Sequence, residues 1–202
     1  IQDVTQDLAK AFQLKSTKGC LITGVMQDTP AQKAGLRKGD VVIQINEKHI
    51  KNSNHLRNEI ANAGAFSEIE MELIRDGKTI LINLRLAERP KKIGQMKMLS
   101  QPAPTTEKVE VLGMIVEELT EENAEKLSVK RSVGVVITDV EPGSSAEKTG
   151  LQPGMIVQEV ERQAVTSLNI FKEIIGNIDQ EKGILLLITT NNGSRYIFLH
   201  AD

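Results

Sequence analysis

The chain has 202 residues, with 25 Lys and Arg against 27 Asp and Glu interspersed and a formal net charge of −2. That balance gives no nucleic acid or anionic membrane an electrostatic claim as main partner, and no apolar run approaches the roughly 20 residues that span a bilayer. Hydrophobic residues make up 40%, with four Phe, one Tyr and no Trp, a palette for small β-rich modules packed with branched aliphatics and not for one large aromatic core.

In chain order, Thr5 reads as the N-cap of a short helix over 7–12, with Asp7 in its first turn where the helix dipole favours an acid. A β-rich run follows at 19–25. It holds the only cysteine, Cys20, which can form no intrachain disulfide and reads as a small buried hydrophobe. Thr29-Pro30 opens a second short helix, Thr as cap and Pro in the first helical position, and Gly35 closes it. A strand at 41–45 precedes the longest helix, 54–62, capped by Ser53 and apolar along one face at Leu56 and Ile60. A hairpin of 69–74 and 79–84 around Asp76-Gly77 ends the unit.

Residues 88–108 read as a linker, semi-extended near its prolines and without a sustained period. Within it, Ile93, Met96, Met98 and Leu99 suit packing against a neighbour. Beyond it the first unit recurs. Ala34-Gly35-Leu36-Arg37-Lys38-Gly39-Asp40 returns as Thr149-Gly150-Leu151-Gln152-Pro153-Gly154-Met155, an offset of 115. At that offset Gly19 also meets Gly134, Ala31 meets Ala146, Ile60 meets Ile175 and Ile69 meets Ile184.

A unit of about 90 residues that occurs twice is a duplicated small domain, too long for a solenoid repeat. The second copy therefore takes the same elements. These are a helix at 122–127 capped by Thr120, a strand at 134–140, and a helix opened by Ser144 and closed by Gly150. A strand at 156–160 follows, then a helix at 168–177 capped by Ser167 or Thr166, with Leu168, Phe171 and Ile175 on one face. The last hairpin pairs 184–189 with 195–199, and Asn192-Gly193 reads as its turn, so that Asn191-Asn192-Gly193 is one residue longer than Asp76-Gly77. The expected architecture is β-rich α+β, two small partly open β-barrels or sandwiches with two to three short helices each, over 1–87 and 109–202.

The run Thr29-Pro30-Ala31-Gln32-Lys33-Ala34-Gly35-Leu36-Arg37-Lys38-Gly39-Asp40-Val41-Val42 resembles the SPA-x-x-AGL-x-x-GD-x-I core of bacterial PDZ domains, and Asn46-Glu47-Lys48-His49-Ile50 resembles their NG-x-x-V turn. The second copy has drifted: Met155 stands where the acid was, and Glu161-Arg162 replaces the Asn-Gly pair. Two such units, introduced by Ile1-Gln2-Asp3-Val4-Thr5 and Asp7-Leu8-Ala9-Lys10-Ala11-Phe12, resemble the C-terminal half of the HtrA/Deg serine proteases. The resemblance implies a periplasmic protein whose partners are apolar C-terminal or extended peptides of misfolded proteins, its own protease domain and neighbouring subunits, and no cofactor.

PDZ domains add an extended peptide as a strand beside a sheet edge and a helix, and small residues let the backbone approach its carboxylate. By the resemblance, Val111-Leu112-Gly113-Met114 stands at the carboxylate loop of the second unit, with the Leu112, Gly113 and Met114 amides as candidate donors. Ile115 and Val116 continue the edge strand, and Met114, Val116, Phe171 and Ile175, with Leu112 and Leu168, would line the pocket for an apolar last side chain. The same residue types at these spacings also suit an ordinary core. In the first unit Ile1 aligns with Val116, so the counterparts of 112–115 would precede residue 1. That unit therefore reads as N-terminally truncated, leaving Ile1, Leu56 and Ile60, with Val4 nearby, for its groove.

A serine protease needs a nucleophile, a base and an orienting acid. The chain has no Gly-x-Ser-Gly-Gly segment, and His49, His55 and His200 share neither a repeat position nor a metal spacing. The chain by itself reads as non-catalytic. A tandem PDZ scaffold that acts by domain docking stays open beside the protease-regulatory reading.

Overall fold

A computed structural model describes residues 1–88, 108–126 and 133–201. The expected linker, with Ile93, Met96, Met98 and Leu99, falls almost wholly outside those residues. The chain divides into two compact units, Ile1–Gln95 and Met96–Asp202.

In the first unit β1 (Gln2–Asp3) leads into α1 (Gln6–Ala11), where the Thr5 hydroxyl accepts from the Leu8 amide as the cap. Then come β2 (Cys20–Leu21), α2 (Pro30–Lys33), β3 (Val41–Ile45), β4 (Lys48–His49), α3 (Ser53–Ala63), β5 (Glu68–Arg75) and β6 (Lys78–Arg85). They form an open antiparallel sheet in the order β1-β2-β3-β5-β6, with β4 folded onto β3. The strand expected over 19–25 forms at Cys20–Leu21, where it pairs with β1 on one side and β3 on the other. The cap of α3 is Asn52, whose side chain accepts from the His55 amide, and not Ser53, which is the first helical residue.

The second unit repeats these elements and adds one strand. β7 (Lys108–Val111) pairs with β8 (Met114–Glu118), which is followed by α4 (Glu121–Lys126), β9 (Val135–Val140), α5 (Ser145–Lys148), β10 (Ile156–Val160) and β11 (Gln163–Ala164). α6 (Leu168–Gly176), β12 (Ile184–Thr190) and β13 (Gly193–Leu199) complete it. The sheet runs β13-β12-β10-β9-β8-β7 and is likewise open, so neither unit closes into a barrel.

The offset of 115 holds in fine detail. A bulge breaks the β3–β5 ladder between Val42 and Gln44, and its counterpart breaks β10–β12 between Val157 and Glu159. Asn46-Glu47 turns with φ of 44° and 66°, and Glu161-Arg162 turns with φ of 49° and 65°. Each turn is secured alike: the Asn46 side chain accepts from the Glu70 amide at 2.9 Å, and the Glu161 carboxylate accepts from the Leu185 amide at 2.7 Å. The drift from Asn to Glu therefore keeps the acceptor that the turn requires.

The last hairpins are also in register. Arg75 pairs with Lys78 and Thr190 with Gly193, each across a two-residue loop, so the second loop is not longer than the first. Gly193 belongs to the strand, at the position of Lys78, with a φ of +132° that glycine adopts freely.

Residues alternate between two faces of each sheet. In the second unit one face joins Met114, Val116, Val135, Ile137 and Val157 to α6 in the main core, while Leu119, Ala124, Val136 and Ile156 form a smaller cluster on the other. Gly134 is forced by this packing: a Cβ there would meet the Val157 carbonyl oxygen at 2.4 Å, and its φ is +140°.

Candidate functional site

α6 is amphipathic because its apolar residues recur at helical spacing, and it lays Leu168, Phe171, Ile174 and Ile175 into the core. Met114 and Val116 of β8 face the same cluster, so the structure brings together Met114, Val116, Leu168, Phe171 and Ile175, all buried, with Leu112 half-buried against them. Ile115 lies outside that cluster, as strand alternation requires. In the first unit Leu56 and Ile60 share a cluster with Cys20, Ile22, Val42, Ile45 and Ile69. Ile1 does not join it: its side chain is 42% exposed and its ammonium donates to Thr23 Oγ1 at 3.1 Å. Val4 is buried outside that cluster, and its counterpart Leu119 packs on the opposite face of the second sheet.

The ends of β1 and β8 are each tied to the start of the long helix of their unit. Asp3 Oδ1 accepts from the Ser53 amide at 2.7 Å, and Glu118 Oε2 accepts from the Leu168 amide at 2.6 Å, the same bond at the repeat offset. Each acid satisfies one of the orphan donors at a helix N-terminus. Hydrogen bonds from the Ser53 hydroxyl and amide hold the Asp3 carboxyl below the usual range. Neither acid stood out in the sequence, because the tie joins residues 50 apart.

The loop expected to cradle a carboxylate is a two-residue hairpin turn. Leu112 and Gly113 have φ of 46° and 77°, and the strands on either side pair from Val111–Met114 to Lys108–Glu117. Gly113 packs so closely on Ser144 that a Cβ would lie 2.2 Å from that side chain, while its carbonyl accepts from the Glu141 amide at 2.8 Å. The small residue expected there is required, and a neighbouring side chain already sets part of the reason. The edge of β8 that an added peptide would join is paired with β7. Val109, and Val111 as a side chain filling the cluster, were missed as site residues. The alternation Lys108-Val109-Glu110-Val111 was the available signal.

The two units differ in their buried polar groups. Asp40 is fully buried and takes Arg75 in a two-pronged pair, Nε to Oδ1 at 2.6 Å and an Nη to Oδ2 at 2.7 Å, while the Arg37 amide donates to the same carboxylate. At the repeat offset these positions hold Met155 and Thr190. The second unit instead buries Tyr196, whose hydroxyl donates to Glu159 at 2.9 Å. Burial, reinforced by the Glu159 carboxylate, raises the tyrosine pKa well above its ordinary value. Cys20 is buried and free, and burial pushes its thiol up, away from reactivity. Among the described residues no group of three His, Cys, Asp or Glu could hold a metal ion, and no helix is long and apolar enough to cross a membrane.

Models of the PDZ domain match residues 7–86 and 104–175. A probable periplasmic serine endoprotease DegP-like from Chlamydia pneumoniae is 31% identical over all of this chain, which covers 39% of that protein. The protein of the same description from Pseudomonas fluorescens is 31% identical over 98% of this chain and 40% of its own length. Among solved structures, an HtrA-type protease AlgW with decapeptide is 27% identical over 45% of this chain and 28% of that one, with a TM-score of 0.41.

Proposed function

The chain carries two PDZ domains in tandem and belongs to that family, and on that premise we propose that it is the non-catalytic, peptide-binding and regulatory half of a periplasmic HtrA-type serine endoprotease. The relatives named periplasmic serine endoproteases align along the whole chain, which spans about two fifths of their length. In this reading the domains, taken as 1–87 and 109–202, capture exposed apolar C-termini or extended segments of misfolded proteins. They also support activation of the protease domain and assembly of its oligomer.

The observation that carries the reading is the duplicated groove frame. In each unit the end of a strand is pinned to the first turn of the long helix, Asp3 to Ser53 and Glu118 to Leu168, and in the second unit Met114 and Val116 of that strand pack with Phe171 and Ile175 of the helix. This is the frame that accepts an added strand, with backbone hydrogen bonds giving affinity and alternate side-chain pockets giving specificity. Titration calorimetry of the full chain with a peptide ending in an aliphatic residue, and with its C-terminally amidated form, tests it. Binding of the free acid with a loss of at least about tenfold on amidation is expected, because a charge-assisted hydrogen bond is lost. Equal affinity removes the carboxylate from the reading, and no binding of either peptide overturns it.

A further inference from the structure

A strand occupies the second unit's groove. β7 takes the outer edge of β8 in antiparallel register, Val111 against Met114 and Val109 against Val116. Directly paired residues lie on one face of a sheet, so Val109 and Val111 share the face of Met114 and Val116, and both pack with the cluster that holds Phe171 and Ile175. Val111 is only 4% exposed, whereas Lys108 and Glu110 point to solvent. The far end of the ladder is clamped by Lys108 Nζ on Glu117 Oε1 at 2.9 Å.

We propose that residues 108–111 are the second domain's own ligand, a tethered strand that fills the groove by strand addition and must leave before an extended peptide can pair with β8. The inference rests on the peptide-binding reading above and names the chemistry of the competitor. A strand that replaces β7 must be extended and carry aliphatic side chains two residues apart, in the places of Val109 and Val111. A ligand held by a two-residue loop has an effective concentration of about millimolar or more, so a tethered strand whose own affinity is about 10 micromolar weakens any competing peptide by about a hundredfold. The turn favours release, since Leu112 sits at a φ of 46°, a region that strains a residue with a Cβ. The ladder at stake is four residue pairs at the edge of the sheet, where local opening is easiest.

The test uses the full chain and the synthetic peptide Lys-Val-Glu-Val with a free carboxylate, with binding read at assigned backbone amides of each unit. Val109→Asp puts a charge on the inward face of β7, and is expected to raise the peptide's affinity for the second unit at least about tenfold, with shifts at Met114 and Val116. The double variant Lys108→Cys/Glu117→Cys, oxidised to a disulfide, pins β7 in place. It is expected to abolish those shifts, and reduction to restore the wild-type response. Binding at the first unit should be the same in all forms. Equal second-unit affinity in wild-type, released and locked chains overturns the proposal. So does a Val109→Asp chain that keeps the hydrogen-exchange protection of β9 and β10 and binds peptide at the first unit alone. Binding at neither unit overturns the peptide-binding reading, and this inference falls with it.

Discussion

Asp40 and Arg75 show how a single residue's fate depends on its partner. Removing one member of a buried ion pair strands the other's charge, whereas replacing both avoids that penalty. Arg75→Thr alone is expected to destabilise the first unit by about 3 kcal/mol. Asp40→Met/Arg75→Thr, the pair found at the same positions of the second unit, should recover most of that loss. Hydrogen exchange at the β3 and β5 amides measures both, and a double variant no more stable than the single one would sink the argument. Tyr196 gives a pH prediction. Its folded pKa is raised from the ordinary value of 10.0, so its contribution is fully present below that value and is lost as pH climbs above it, because the unfolded chain ionises first. As the only tyrosine, it reports on itself: tyrosinate absorbance should appear together with unfolding of the second unit. Tyr196→Phe should flatten that alkaline loss relative to wild type. Titration near 10 in the folded chain would count against it.

Among the elements, caps and turns separate what was legible from what was not. Thr5, Thr29, Ser144 and Ser167 cap the helices that the sequence assigned to them, because a side-chain oxygen three residues ahead of an orphan amide is a local device. α3 departs by one residue: Asn52 precedes Ser53, both suit the role, and the extended backbone at Asn52 decides it. Asn52→Ala is therefore expected to cost about 1 kcal/mol and Ser53→Ala much less, read by exchange of the α3 amides. The reverse order would restore Ser53 as the cap. The last hairpin was misjudged for a related reason. Asn-Gly is a strong turn signal, yet Gly193 lies in β13, where register with β12 overrides local preference.

For the whole molecule, the duplication makes each unit a control for the other. Gly19 and Gly134 take φ of +123° and +140° at equivalent positions. A Cβ on Gly19 would sit 3.0 Å from the Val42 carbonyl oxygen, and one on Gly134 would sit 2.4 Å from that of Val157. Alanine should destabilise both units, by about 1–3 kcal/mol through backbone strain, and more at Gly134, where the neighbour is rigid backbone at closer range. Amide exchange in the two units measures this, and a neutral Gly134→Ala would contradict the packing. The repeat offset, the aliphatic faces of α3 and α6, and the helix and strand types could be read from the amino-acid order, because caps, turn glycines and hydrophobic period act over a few residues and occur twice. The tertiary structure alone decided that the edge of β8 is already taken. Strand pairing satisfies backbone groups whatever the side chains, and a Leu-Gly turn announces no hairpin, so only the folded sheet shows that β8 already has β7 beside it.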